Sequence, residues 1–171
     1  MRHIINNDKI NRYPSHTTER LVVDGFTIKH SVEYKDQTFN VVDKRRRYQD
    51  EYFCFVEFFY VFSVFSSLDY PSLKGFSKLC MRYAKRNKTI PWLTIPLEFI
   101  VCFPVALVFG IDATTTEELR NSRPKQHLVD HEMPVICDLK NNHFHYSSKT
   151  PYWGTIFYDH FGDIIQDVLS P

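Results

Sequence analysis

The chain has 171 residues, 43% hydrophobic and 24% charged, with a formal net charge of +1. Hydrophobicity this high with so little net charge excludes a disordered chain, and five Gly and nine Pro exclude collagen-like or low-complexity sequence. The length suits one domain with a sizeable core, and the unusual figure is the aromatic content, 16%.

Residues 1–20 are polar without a usable period and read as an N-terminal segment. A single α+β domain is expected over 21–171. Leu21-Val22-Val23, the turn pair Asp24-Gly25 and Phe26-Thr27-Ile28 read as short strands around a tight turn. Val32, Tyr34, Phe39 and Val41 alternate with polar residues about Lys35-Asp36-Gln37, which predicts a hairpin with one wet face, the meander ending near 43. From Tyr48 to Ser66 there is no Gly or Pro. Asp50 and Glu51 sit where a helix would start, and aromatics at 52, 55, 59 and 62 keep helical spacing. Those features favour a helix buried nearly all round; the alternative is a long buried strand, since aromatics also suit strands.

Asp69-Tyr70-Pro71-Ser72 reads as a helix entry. Leu73, Phe76, Leu79, Cys80 and Tyr83 then mark an apolar stripe, with Lys74, Lys78, Arg82, Lys85 and Arg86 largely opposite and Asn87 as terminator. Residues 91–96 are too rich in proline for a helix and read as extended. Phe99–Phe109 reads as a central strand in which Pro104 requires a bulge or a change of neighbour. Thr114–Arg120 predicts a short Thr-capped helix stopped by Pro124. Met133–Asp138 predicts a strand turning at Asn141-Asn142 into His143–Tyr146. Phe103-Pro104-Val105 and Met133-Pro134-Val135 look alike, as two neighbouring strands with an irregularity at each proline would. Thr150–Gly154 reads as a rigid aromatic loop, and an apolar stripe from Ile156 to Leu169 as a last helix. The expected architecture is a mixed or antiparallel sheet packed against several helices.

No glycine-rich loop, G-x-S-x-G or local Cys–His signature is present, so no nucleotide cofactor or nucleophilic catalysis is expected. His127 and His131 would share a face at i and i+4 on a helix, but the order H-x-x-x-H-E is not the zincin H-E-x-x-H, and Pro124 and Pro134 leave little room. His143 and His145 would point to one face of a strand, within reach of His127, His131 or His160 only if the sheet brought them together. Asp112 and Asp138 end apolar runs and are read as cap or turn formers rather than catalytic acids.

Charge is segregated: residues 1–88 carry 16 Lys/Arg and 10 Asp/Glu (+6), which leaves 5 and 10 (−5) for 89–171. Such a split can steer a charged partner. The expected function is a non-enzymatic protein-binding module, in concrete form a small inhibitor or immunity-type protein. Lys74, Lys78, Arg82, Lys85 and Arg86 would meet an acidic patch, and Trp92 or Tyr152 and Trp153 would anchor it. Two other classes stand beside it. One is a metal-dependent hydrolase or nuclease using His127, His131 and a carboxylate. The other is an RNA- or DNA-binding domain using the basic helix over 74–88, with Lys44–Arg47 adding charge and Tyr70, Tyr83 and Trp92 stacking on bases. The apolar runs 52–67 and 99–111 fall short of the roughly 20 residues of a spanning helix, so a membrane is not expected as partner. Dispersed cysteines, most within apolar runs, and no apolar leader over 1–8 point to a reducing, cytoplasmic setting.

Overall fold

A computed structural model describes residues 25–49, 54–89, 98–127 and 130–149, together with Val22 and Ile165. The Gly25 amide donates to the carbonyl of Val22 at 2.9 Å, and φ of +80° at Gly25 makes this the glycine turn that leads into the sheet. β1 (Thr27–Tyr34) and β2 (Gln37–Gln49) form the expected hairpin, closed at Lys35, whose φ is +55°. β2 runs past the expected end at 43 and carries the whole Lys44–Arg47 run.

The aromatic segment is β3 (Cys54–Phe65), antiparallel to β2, so of the two readings of this run the long buried strand is the one adopted. The reason is position. A strand covered on both faces reads as a continuous apolar run with no alternation, and its Val, Phe and Tyr favour a pleated surface. A crossover must then return the chain to lay a parallel strand beside β3. It includes α1 (Tyr70–Arg86), and β4 (Glu98–Val108) pairs in parallel with β3 from Phe55↔Glu98 to Phe65↔Val108 without a slip.

Past β4 come α2 (Ala113–Asn121) and four short strands, β5 (Lys125–His127), β6 (Asp130–Glu132), β7 (Val135–Asp138) and β8 (His143–Tyr146). β6 and β7 both lie parallel to β4, end to end, with β5 and β8 antiparallel outside them. The described residues form one mixed eight-stranded sheet, as part of an α+β fold. Two helices, rather than several, are seen among the described residues.

Pro104 does what the sequence demanded of it. β4 pairs with β6 as far as Cys102↔Glu132 and with β7 from Val105↔Val135, so the neighbour changes at Pro104, level with Pro134. The Met133 amide donates to Cys102 O at 2.9 Å. Hydrogen-bonding groups alternate sides along a strand, so the amide that Pro104 lacks falls on this same side, at the junction.

The strands alternate between two buried layers. On one side Phe59, Val61, Ile100, Cys102 and Ala106 meet Leu73, Phe76, Cys80, Met81 and Ala84 of α1 and Leu119 of α2. On the other side Phe58, Tyr60, Phe62, Phe103, Val105 and Leu107 form a second layer that Ile165 joins. Tyr60 and Phe103 stack there at 4.7 Å and 10°. Cys80, Cys102 and Cys137 are buried and form no disulfide.

A carboxylate sits inside the helix-side layer. Glu57 is wholly buried, takes both carboxylate oxygens to the Thr89 amide at 2.8 and 3.0 Å, and lies 3.3 Å from Lys44 Nζ. Lys44 also donates to Asn87 O, so this group ties the end of α1 to β2 and β3. The basic run is therefore largely structural: Arg45 lies over the Phe26 ring and Arg46 over Phe55 at 3.6 Å.

Leu73→Ala, at a fully buried position, should lower unfolding free energy by about 2–5 kcal/mol. Lys74→Ala on the outer face of the same helix should stay within roughly 0.5 kcal/mol. Denaturant midpoints at unchanged m-value check both. Lys44→Ala strands the Glu57 carboxylate without its cation and should cost about 3 kcal/mol, read in the same titration.

Candidate functional site

α1 is firmly placed at both ends. Asp69 caps it by accepting from the Ser72 amide at 2.8 Å, and Pro71 stands in the first turn. At the far end the Asn87 amide returns to Ala84 O and Tyr83 O, while Lys85 and Arg86 suit the negative end of the helix dipole. The Ser72 amide and hydroxyl hold the Asp69 carboxyl below the usual carboxylate range, so the cap stays charged.

With the apolar stripe locked into the sheet, Lys74, Lys78, Arg82, Lys85 and Arg86 all face solvent, as the sequence predicts. Spacings of three and four residues, about one turn each, keep Lys74, Lys78, Arg82 and Lys85 on one stripe, and Arg86 widens it to about a third of the helix circumference. Two are engaged within the chain. Lys85 Nζ lies 3.1 Å from Asp130 Oδ2, and Lys74 Nζ sits 5.2 Å over the Tyr70 ring. Lys78 and Arg82 stand in the middle of the line.

The face continues past the helix. A small cleft between α1 and residues 122–125 brings Lys74 together with Arg123 and Lys125, over Ser77 and Glu132. Glu132 is buried and accepts from Ser77 Oγ at 2.6 Å, which fixes the floor of the cleft to α1. Arg123 and Lys125 were not singled out by the sequence. They flank Pro124, whose plain signal is the end of a helix, and only the return of the chain beside α1 adds them to its charge.

The remaining candidates are not brought together among the described residues. Trp92, Tyr152, Trp153 and His160 lie outside the described residues, as do the extended segment 91–96 and, except for Ile165, the last helix. His127 and His131 are not on a helix: β5 and β6 form a hairpin in which His127 pairs with Asp130 and Gln126 with His131. Prolines at both ends left too few residues for helical turns. The register sets positions 127 and 131 on opposite faces of the hairpin. His131 is buried on the Ile165 side of the sheet, whereas His143 and His145, opposite Asp138 and Ile136, are on the side of α2. Their rings lie 4.9 Å apart, edge to face. Among the described residues no three His, Cys, Asp or Glu side chains are grouped to hold a metal ion.

Both acids read as cap and turn formers act so. Asp112, rather than a threonine, caps α2 by accepting from the Thr115 amide and hydroxyl, each at 2.8 Å. Asp138 closes the β7–β8 turn by accepting from the amides of Gly110 and Lys140 and from Asn141 Nδ2.

No helix among the described residues is long and apolar enough to cross a membrane. Compared with protein-family models, with curated proteins and with solved structures, the chain matches none.

The histidines supply a pH response. Burial holds His145 below its ordinary pKa, assisted by His143 and Arg120 against the opposing charge of Asp138, and its Nδ1 is buried without a hydrogen bond. A histidine kept neutral in the fold but protonated when unfolded loses stability as pH drops below about 6.5. His145→Leu should therefore lose less melting temperature than the parent between pH 7.5 and 5, by thermal unfolding across that range.

Proposed function

We propose that the chain is a non-enzymatic protein-binding module of the inhibitor or immunity type, which takes an acidic partner protein on the outer face of α1. The observation that carries this reading is the rigid line of Lys74, Lys78, Arg82, Lys85 and Arg86. Its positions are fixed by the buried stripe behind it and by caps at both ends, so the backbone needs little ordering on binding and the entropy cost falls on the side chains. Arg123 and Lys125 widen the line to a patch. Electrostatic steering by such a patch raises association rate and selects against basic partners.

Two features favour a protein over single-stranded nucleic acid. Tyr83 is 5% exposed and packs edge-on against Phe39 and Tyr34, so it presents no ring to a base. Tyr70 is half-buried beneath Lys74. A stacking platform needs open aromatic faces, and these two are occupied. The metal-dependent hydrolase reading is less favoured, because it needs His127 and His131 on one ion and their register positions face apart.

The test compares immobilised wild-type chain with the double variant Lys78→Glu/Arg82→Glu, using host protein extract, a single-stranded RNA and a DNA duplex as separate probes. The expected result is a discrete acidic protein retained at low salt by the wild type and lost by the variant, with nucleic acid retained weakly by either. Equal retention of that protein by both chains, or tight RNA or DNA binding abolished by the variant, overturns the proposal.

A further inference from the structure

Asp43 stands alone in its surroundings. It is 0% exposed, in the middle of β2, and neither carboxylate oxygen has a hydrogen-bond partner. The register places Ile28 of β1 and Tyr60 of β3 on either side of it, with Val41 and Arg45 two positions away along its own strand. This is the layer that holds Phe58, Phe62 and Phe103. Glu57 makes the contrast within the same sheet, because it has Lys44 and the Thr89 amide. A buried carboxylate with no partner is costly when charged and much less so when it holds a proton.

The charged and titratable groups that face Asp43 from the described elements are few. β3 offers the Tyr60 phenol. β1 offers His30, exposed and one row beyond Ile28. β2 itself offers Arg45, on the same face two residues along. Arg45 is the nearest cation in sequence register, yet it is spent on an aromatic ring: its guanidinium carbon is 5.7 Å from the centre of Phe26. Phe26 in turn meets Tyr60 edge-on at 5.6 Å. The chain Asp43, Tyr60, Phe26, Arg45 thus closes around the point where the backbone enters β1 from the Gly25 turn.

We propose that Asp43 is a proton-operated latch on the entry to β1. Neutral, it lies among Ile28, Tyr60 and Val41 and leaves Arg45 packed on Phe26. Charged, it draws Arg45 off the Phe26 ring to form an ion pair along the strand, and Phe26 loses its cover. The switch lies within reach of ordinary pH, because burial pushes the Asp43 carboxyl up to about 7. The sign follows. The folded chain holds a proton that the unfolded chain releases above about 4, so the contribution to stability is greatest in acid. It falls as pH rises from about 4 to 7 and is flat above that. His131 and His145, both held below their ordinary values, act in the opposite sense, so the variant must be compared with the parent at each pH.

Two measurements on the full chain test the latch. In the first, thermal unfolding of the wild type and Asp43→Asn is followed from pH 4.5 to 8.5. The melting temperature of the variant relative to the parent should climb up to about pH 7 and then stay constant, the total change being roughly 5 °C or more. A difference independent of pH overturns the proposal. In the second, which needs no Asp43 variant, nuclear magnetic resonance follows the aspartate carboxyl, arginine side-chain and Phe26 ring signals of the wild type. One carboxyl should titrate near pH 7, with the Phe26 and Arg45 signals moving at the same midpoint, and the Phe26 response should vanish in Arg45→Gln. All aspartates titrating near 4, or a Phe26 ring that does not respond, overturns it.

Discussion

β3 and β4 lie side by side in parallel and bury both of their faces, and most of the architecture follows from keeping water off them. A parallel pair cannot be joined by a tight turn, so the chain must leave the sheet and return. The return carries an amphipathic helix whose apolar stripe seals one side. That helix has nowhere to put its charges except outward. The basic face is in this sense a by-product of covering β3 and β4, and its rigidity comes from the same burial. The candidate binding surface inherits its geometry from the core directly beneath it.

The electrostatics of the sheet show two solutions to one problem. Glu57 and Asp43 are both carboxylates within β-strands and both at 0% exposure. The side chain of Glu57 faces the helix layer, where the chain leaving α1 supplies an amide and β2 supplies Lys44. Asp43 faces the other layer, where its cross-strand neighbours are Ile28 and Tyr60 and no hydrogen bond reaches it. The fold neutralises one charge by pairing and leaves the other to a proton. The basic run 44–47 is divided by the same alternation, with Lys44 and Arg46 on one face and Arg45 on the other, so four consecutive cations never act as a single patch.

Much of this could be read from the residues, and the failures have physical causes. The amphipathic helix over 70–86 was legible because its period was clean and its ends carried Asp69 and Asn87. Pro104 was legible as a change of neighbour, because a missing amide in an apolar run permits few arrangements. The segment 52–65 was ambiguous, since an element buried all round shows no period to distinguish 3.6 from 2. β5 and β6, at three residues each, are too short to leave a pattern, so the sequence could argue against a helix at His127–His131 but not show the hairpin. Of the site, the five cations of α1 were readable and Arg123 and Lys125 were not, because they join the face only through tertiary contact. Asp43 gave no signal at all: one acid beside four basic residues looks like a surface strand until the sheet is assembled.

The prolines at 104 and 134 have a consequence for how the sheet comes apart. They stand level with each other, and the outer partner changes from β5 to β8 at the same place. The far side of the sheet is therefore two short antiparallel units laid end to end, with a break in strand pairing between them at residues 133–134. Each unit closes over a short stretch of chain, so each forms and breaks largely on its own account. Pairing alone does not tie the opening of β5–β6 to that of β7–β8, because the two hairpins share no ladder with each other. Lys125, Asp130 and Glu132 all belong to the first of these units. The floor of the basic cleft thus sits on a hairpin that β4 and α1 hold, not β7–β8.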